Sequence, residues 1–266
     1  MFSKNRLKER LLAGQPAYGC WVGGGSPTTA EILGHIGFDF LLADHEHGIG
    51  ETREILETLR AIETTPTPAM VRVPWNDHVF LKRVLDAGVQ SVMIPSVETA
   101  EAARAAVAAC LYPPQGIRGY AAGVVRASTF GLEPDYIHKA NQQMLIALQV
   151  ESHVAVANIA EIAATPGADI IFIGVNDLAG SIGRLEQTDH ADVQELVRRA
   201  ETAIRAAGKI LGTVPHAGAS ARDLFARGHR VVAGPHDVAL LRDAARAVLD
   251  DHRKATGAAQ DLARAY

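Results

Sequence analysis

The chain has 266 residues, 48% apolar and 21% charged, enough to bury one full hydrophobic core. A net charge of −4 without a long run of one sign argues against nucleic-acid binding. Two cysteines, Cys20 and Cys110, outside any CxxC pair, argue against a disulfide framework and fit a reducing cytoplasm.

The N-terminal segment 1–16 reads as an amphipathic helix over Met1–Leu12. It carries Lys4, Arg6, Lys8 and Arg10, and no long apolar stretch follows it. It is therefore neither a signal peptide nor a membrane span, and a lid on the body of the protein is the simplest use for it. Short, near-continuous apolar runs then alternate with helical patterns. The predicted strands are Ala17–Val22, Phe38–Ala43, Pro68–Val73, Gln90–Pro95, Met144–Val150, Asp169–Gly174, Lys209–Val214 and His229–Ala233. Runs rich in Val, Ile and Leu suit parallel strands covered on both faces. The predicted helices are Thr28–Ile36, Glu51–Ile62, Asp77–Ala87, Glu98–Cys110, Ser152–Thr165, Ala191–Ala207, Ala217–Arg227 and Asp237–Asp250. Gly or Pro punctuates most junctions. Eight even β-α units point to a single-domain (β/α)₈ TIM barrel spanning 1–266, with an open doubly wound sheet as the alternative. One connection, Leu111 to Gln143, is long and contains a further short helix, Pro134–Gln143. Loops of this length are usually functional or lie at an interface.

Catalytic residues of such barrels lie at the C-terminal ends of the strands. Strand two runs into Asp44-His45-Glu46-His47-Gly48. Strand three ends at Arg72, strand five in Gln149-Val150-Glu151, and strand six in Gly174-Val175-Asn176-Asp177-Leu178. Glu151 and Asp177 come from adjacent strands. Two carboxylates supported by water suit Mg²⁺ or Mn²⁺, and a zinc pair from His45 and His47 is the alternative. Each carboxylate could instead be a helix cap. Arg72 needs an anionic partner: either Asp44 or Glu46 as pure structure, or a keto acid and its enolate oxygen. His47 is the best general base, because an imidazole titrates near neutrality. The six lysines all fall away from predicted strand C-termini, and Lys209 begins strand seven at the opposite face. That disfavours a Schiff-base aldolase and leaves a metal to hold the enolate. Gly23-Gly24-Gly25-Ser26 reads as a tight turn or a phosphate cradle. Gly234-Pro235-His236-Asp237 reads as a helix cap or an anion site. Trp21 and Phe172 either line the pocket or fill the barrel.

Taken together, these stretches resemble the class II, metal-dependent pyruvate aldolases of the HpcH/HpaI family. That family includes 4-hydroxy-2-oxoheptanedioate and 2-dehydro-3-deoxyglucarate aldolases. The resemblance is carried by Gly37 through His47, Val71 through Asp77, Tyr112 through Gly119, Gln149 through Glu151 and Phe172 through Leu178, in the family's order. It implies a lyase that reversibly cleaves a 4-hydroxy-2-keto acid into pyruvate, or a close analogue, and an aldehyde, through an enolate that the metal stabilises. It implies Mg²⁺, Mn²⁺ or Co²⁺ on Glu151 and Asp177, with no organic cofactor. Arg72 and Gln149 would contact pyruvate, with Trp21, Asn176 and Pro215 completing the substrate site. His47 would act as base, assisted by Asp44 and by Asp86 from a neighbouring subunit. The resemblance also implies a homo-hexamer, a trimer of dimers, with the last helix, Asp237–Asp250 in the C-terminal helical segment 235–266, packed on a partner barrel; composition leaves no nucleic-acid or membrane partner expected. His45, Val175-Asn176, Thr213 through His216 and Gly234 through Asp237 depart from the commonest family pattern and border the aldehyde side. A lyase acting on a citryl- or malyl-CoA thioester and a non-catalytic metabolite-binding barrel are the alternatives.

Overall fold

A computed structural model describes residues 4–256. Eight parallel strands close on themselves in chain order: β1 (Ala17–Val22), β2 (Phe40–Asp44), β3 (Ala69–Arg72), β4 (Ser91–Ile94), β5 (Leu145–Val150), β6 (Ile170–Ile173), β7 (Ile210–Thr213) and β8 (Val231–His236). Closure excludes the doubly wound alternative. Helices α2 (Pro27–Ile36), α3 (Thr52–Glu63), α4 (His78–Asp86) and α5 (Ala100–Cys110) follow the first four strands. Ser26 opens α2 by accepting from Thr29 N–H at 3.2 Å, with Pro27 in the first turn. Asp77 opens α4 by accepting from Phe80 N–H at 2.7 Å.

The two-residue period of each strand divides the core. Phe40, Leu42, Met70, Met93, Leu145, Ala147, Ile170, Phe172, Val231 and Ala233 fill the barrel. Their neighbours Val71, Val92, Ile146, Leu148, Ile171 and Ile173 face the helices. Crowding inside is severe. A Cβ at Gly19 would stand 2.4 Å from the Phe40 ring, so a larger residue there would displace the phenyl group. α1 (Arg6–Leu12) buries Leu7 and Leu11 with this inner cluster. Asn5 Nδ2 donates to Ser91 Oγ at 2.9 Å, and Arg10 pairs with Asp39 at 2.9 Å. These partners lie at strand beginnings, so α1 closes the N-terminal end of the barrel, as a lid should.

Several boundaries depart from expectation for local reasons. The helix expected over Ser152–Thr165 is two, α7 (His153–Ala157) and α8 (Ile159–Ala163), broken at Asn158, whose amide donates to Glu98 O at 2.8 Å. The helix α9 (Val175–Gly180) was not expected, because its six residues are too short to show a period. α10 (Ala191–Ala206) agrees with expectation, whereas α11 (Ala221–Ala226) starts four residues late, after Gly218 at φ 86° and a Ser220–Asp223 capping box. The long connection holds a 3₁₀ turn at Arg126–Ser128 and α6 (Tyr136–Gln143). β8 runs to His236 rather than stopping at Ala233, because a bulge against β1 carries it past Gly234 and Pro235. α12 (Asp237–Thr256) is longer than expected, and the rest of segment 235–266 lies outside the described residues. Cys20 and Cys110 are buried and unpaired. No helix among the described residues is long and apolar enough to cross a membrane.

Candidate active site

Strand alternation settles which chemical groups enter the barrel mouth. Asp44 continues the inward phase of Phe40 and Leu42, Arg72 that of Met70, and Gln149 and Glu151 that of Leu145 and Ala147. Above them opens a pocket of about 320 Å³ whose lining includes Trp21, His47, Arg72, Gln149, Asn176 and Asp177, with Pro215 on its rim.

Arg72 is the centre of the cluster. Its Nε and Nη2 donate to the two oxygens of Asp44 at 2.8 and 2.7 Å, a bidentate fork. Its Nη1 lies 3.0 Å from Glu46 Oε2, outside hydrogen-bond geometry, and the guanidinium stacks on the Trp21 ring at 4.4 Å. Both structural partners weighed for Arg72 are therefore engaged. Asp44 is 2% exposed, and burial alone would raise its carboxyl. The bonds from Arg72 and from Glu46 and His47 N–H outweigh burial and lower it. Glu46 has weaker support, so burial pushes it up to about 7 against the pull of Arg72, with the charge of Glu151 adding to the rise. Asp44 thus holds the Arg72 fork and the first turn of the His47 loop, and its carboxylate binds the His47 backbone N–H at 3.4 Å.

His47 itself is exposed at the mouth, with Nε2 3.9 Å from Glu46 Oε2. His45 turns the other way, is buried, and sets Nδ1 3.4 Å from Gly50 O. Burial lowers its pKa. The two histidines therefore form no zinc pair. The four carboxylates that the sequence gathers at this mouth separate into two groups. Asp44 and Glu46 belong to Arg72, while Glu151 and Asp177 remain together across the pocket. Among the described residues no group of three or more His, Cys, Asp or Glu is poised to hold a metal.

Glu151 is held from two sides. Its Oε1 accepts from Ser96 N at 2.7 Å and Ser96 Oγ at 3.1 Å, and its Oε2 accepts from Gln149 Nε2. Ser96 sits at φ 55°, an uncommon conformation for a residue with a side chain, and it follows β4 after Pro95. Sequence reading missed it, since only the position after a barrel strand could have pointed to it. Burial raises the pKa of Glu151, and the neighbouring charge of Asp177 adds to this against the Ser96 and Gln149 bonds. Asp177 lies in the first turn of α9 and is exposed. Two unneutralised carboxylates side by side, with a buried Gln149 Oε1 lacking a partner, are a donor set for a hard cation. Gly174 keeps that room open, since a Cβ there would stand 2.7 Å from Glu151 Oε2.

Two expected members do not join this group. Asp86 ends α4, at the opposite end of the barrel from the mouth, and pairs with Arg118 at 2.9 Å. Within one chain it cannot assist His47. The glycine turn after β1 cradles no phosphate. Gly23 and Gly24 N–H each donate to Asp237, both at 3.1 Å, so the carboxylate that begins α12 ties β8 to β1. No lysine lines the pocket. Lys209 donates to Thr165 and Ala168 carbonyls at the N-terminal end of β7.

The HpcH/HpaI aldolase/citrate lyase family profile matches residues 17–244. The chain is 40% identical over 264 residues to the hydroxypyruvate/pyruvate aldolase of Delftia acidovorans, covering 98% of each. It is 40% identical over 245 residues to the 4-hydroxy-2-oxo-heptane-1,7-dioate aldolase of Salmonella dublin, covering 92% of this chain and 93% of the relative. A crystal structure of a family protein from Burkholderia cenocepacia superposes with a TM-score of 0.90 at 39% identity, over 94% of this chain and all of that one. With its closed barrel and its acid-and-arginine mouth, the chain belongs to the HpcH/HpaI aldolase/citrate lyase family and is a carbon–carbon lyase.

Proposed function

We propose that this chain is a divalent-metal-dependent class II aldolase. It reversibly cleaves a 4-hydroxy-2-keto acid into pyruvate, or a close analogue, and an aldehyde. The observation that carries this reading is a pocket lined by Arg72, Gln149 and Asp177 and by no lysine, with Glu151 bonded to Gln149 and close enough to Asp177 to feel its charge. Glu151 and Asp177 would hold Mg²⁺, Mn²⁺ or Co²⁺. Such an ion supplies Lewis-acid polarisation of the keto oxygen.

The chain's own groups account for the rest. Gln149 and Arg72 bind the keto acid. The contact of Glu46 with Arg72 Nη1 lies outside hydrogen-bond geometry, so that nitrogen is open to the keto acid. His47, directly or through one water, takes the proton of the C4 hydroxyl. The electron pair of that O–H bond becomes the aldehyde C=O, the C3–C4 bond breaks, and its electrons move to the keto oxygen as an enolate. Arg72 stabilises that negative charge, and a proton delivered to C3 completes pyruvate. Trp21, Asn176 and Pro215 shape the substrate site. A CoA thioester needs basic residues at the mouth, and Arg72, the one Lys or Arg lining the pocket, is already paired. Chelation with EDTA should remove pyruvate–aldehyde activity, and Mg²⁺, Mn²⁺ or Co²⁺ should restore it. Full activity in chelated, metal-free protein would end this reading.

The proposal extends to assembly and place. Leu241 and Val248 on α12 are each 73% exposed, an apolar face suited to a partner barrel in a hexameric trimer of dimers. In that assembly Asp86 from a neighbouring subunit would support His47. A cytoplasmic location fits the two unpaired cysteines. Val248→Asp should shift the molecular mass measured by light scattering to a smaller species; an unchanged mass counts against the swapped helix.

A further inference from the structure

We infer that His236 selects the aldehyde, its Nε2 accepting a hydrogen bond from a hydroxyl on the carbon beside the carbonyl, so that the acceptor class is the uncharged α-hydroxyaldehydes. This rests on the aldolase reading above and deepens it.

The backbone delivers His236 to the pocket by an irregularity. Gly19 pairs with Ala233 and Trp21 with His236, so three steps on β8 match two on β1. A bulge at a barrel rim re-aims the side chains beyond it. Here His236 lines the pocket with 34% of its side chain exposed. Its ring lies over Gly23, where a Cβ would stand 2.6 Å from Cε1 and 2.8 Å from Nε2. Glycine at that position is what gives the imidazole its place. Nδ1 stands 2.8 Å from Oδ1 of Asp237, off the line of a hydrogen bond, and Asp237 is itself fixed by Gly23 and Gly24 N–H. A carboxylate at that distance sets the neutral ring's proton on Nδ1 and leaves Nε2, which has no hydrogen bond among the described residues, as an acceptor.

Position in the barrel says which part of the substrate His236 meets. β8 stands three strands from β3, which carries Arg72, and three from β5, which leads to Glu151. The keto-acid end is bound on that far side. The His47 loop is next to Gly23: Ile49 N–H donates to Gly23 O at 3.0 Å, and the Gly48 Cα lies 3.6 Å from the position of a Gly23 Cβ. A chain whose C4 hydroxyl meets His47 therefore places C5 beside His236. Val214, Pro215 and Gly234 make up the remaining wall, with no charge to offer. Arg72 is the one Lys or Arg among the described residues lining the pocket and is committed to Asp44 and to the keto-acid end, so a carboxylate on the aldehyde finds no further guanidinium or ammonium partner. A neutral hydroxyl needs only the imidazole.

The test compares kcat/KM for glycolaldehyde and propanal, with pyruvate and Mn²⁺, in the wild-type chain and in His236→Ala and His236→Gln. One hydrogen bond should favour glycolaldehyde by roughly tenfold, a preference that His236→Ala removes and His236→Gln largely keeps. Succinic semialdehyde should be a poorer acceptor than glycolaldehyde. Circular dichroism establishes that each variant is folded. Should His236→Ala fail to fold, the glutamine variant beside His236→Phe carries the same comparison. An aldol-active enzyme whose glycolaldehyde-to-propanal ratio is the same with and without His236 overturns the inference and leaves the proposed function standing. A preference for succinic semialdehyde does likewise. A metal-loaded wild-type chain that forms no aldol product from pyruvate and any of the three overturns both.

Discussion

Two arginines in this barrel are buried to nearly the same extent, and both stack over an aromatic ring at 4.4 Å, Arg72 on Trp21 and Arg118 on Tyr112. Arg72 has a bidentate carboxylate, a second acid and an open pocket. Arg118 has one oxygen of Asp86 at 2.9 Å and the Tyr136 hydroxyl at 3.2 Å, and it fastens the long connection to the end of α4. On the proposed reading, the same residue type serves chemistry at one end of the barrel and scaffolding at the other. Burial and charge pairing cannot separate the two roles. What separates them is the company of two further carboxylates, Glu151 and Asp177, across a cavity.

The sharpest way to break this contrast is to delete each guanidinium. Arg72→Ala should lower kcat/KM for aldol cleavage by roughly 10³ through loss of enolate stabilisation. It should also cost about 3–5 kcal/mol of stability by leaving Asp44 buried without its cation. Arg118→Ala should show its loss chiefly as a lower Tm. Equal rate losses in the two variants would remove the distinction. His47→Ala comes next, with an expected fall of roughly 10² in kcat, because a water can substitute in part for an exposed base. Normal turnover in that variant would remove His47 from the mechanism.

The smallest effect sharpens the contrast on the Arg72 side. Glu46 is raised from 4.5 to about 7 by burial. Across that window the folded chain binds a proton that the unfolded chain releases. The contribution of Glu46 to stability therefore falls as pH rises from 4.5 to about 7 and is constant above. The full span is at most about 3.5 kcal/mol, one pKa unit being about 1.4 kcal/mol. Urea unfolding of metal-free wild-type and Glu46→Gln protein between pH 5 and 8 isolates this term by difference. The gap between the curves should change with pH in favour of the glutamine variant toward pH 8. Parallel curves would mean that Glu46 stays ionised beside Arg72.

Much of this was legible in the chain. Buried parallel strands must be apolar on both faces, so eight Val-, Ile- and Leu-rich runs announced themselves, and β1 was placed to the residue. Arg72, Glu151, Asp177 and His47 were visible because a charged residue ending such a run needs a reason to be there. Short-range signals placed Asp77 at the start of its helix. What stayed hidden depends on neighbours distant in sequence. Ser96 matters only because β4 and β5 lie side by side, which brings its N–H to Glu151. The bulge that turns His236 inward exists only in the pairing of β8 with β1, the last strand with the first. Asp44 and Glu46 were both open as partners of Arg72, and the register of β2 on β3, which sets Asp44 beside Arg72, gives the bidentate fork to Asp44. The sequence by itself determined the barrel, its family and the types of group at its mouth, because periodicity and composition are local properties. Which carboxylates neutralise the arginine, and which are left for a cation, was decided only by closure of the barrel, because that is a question of distance between strands.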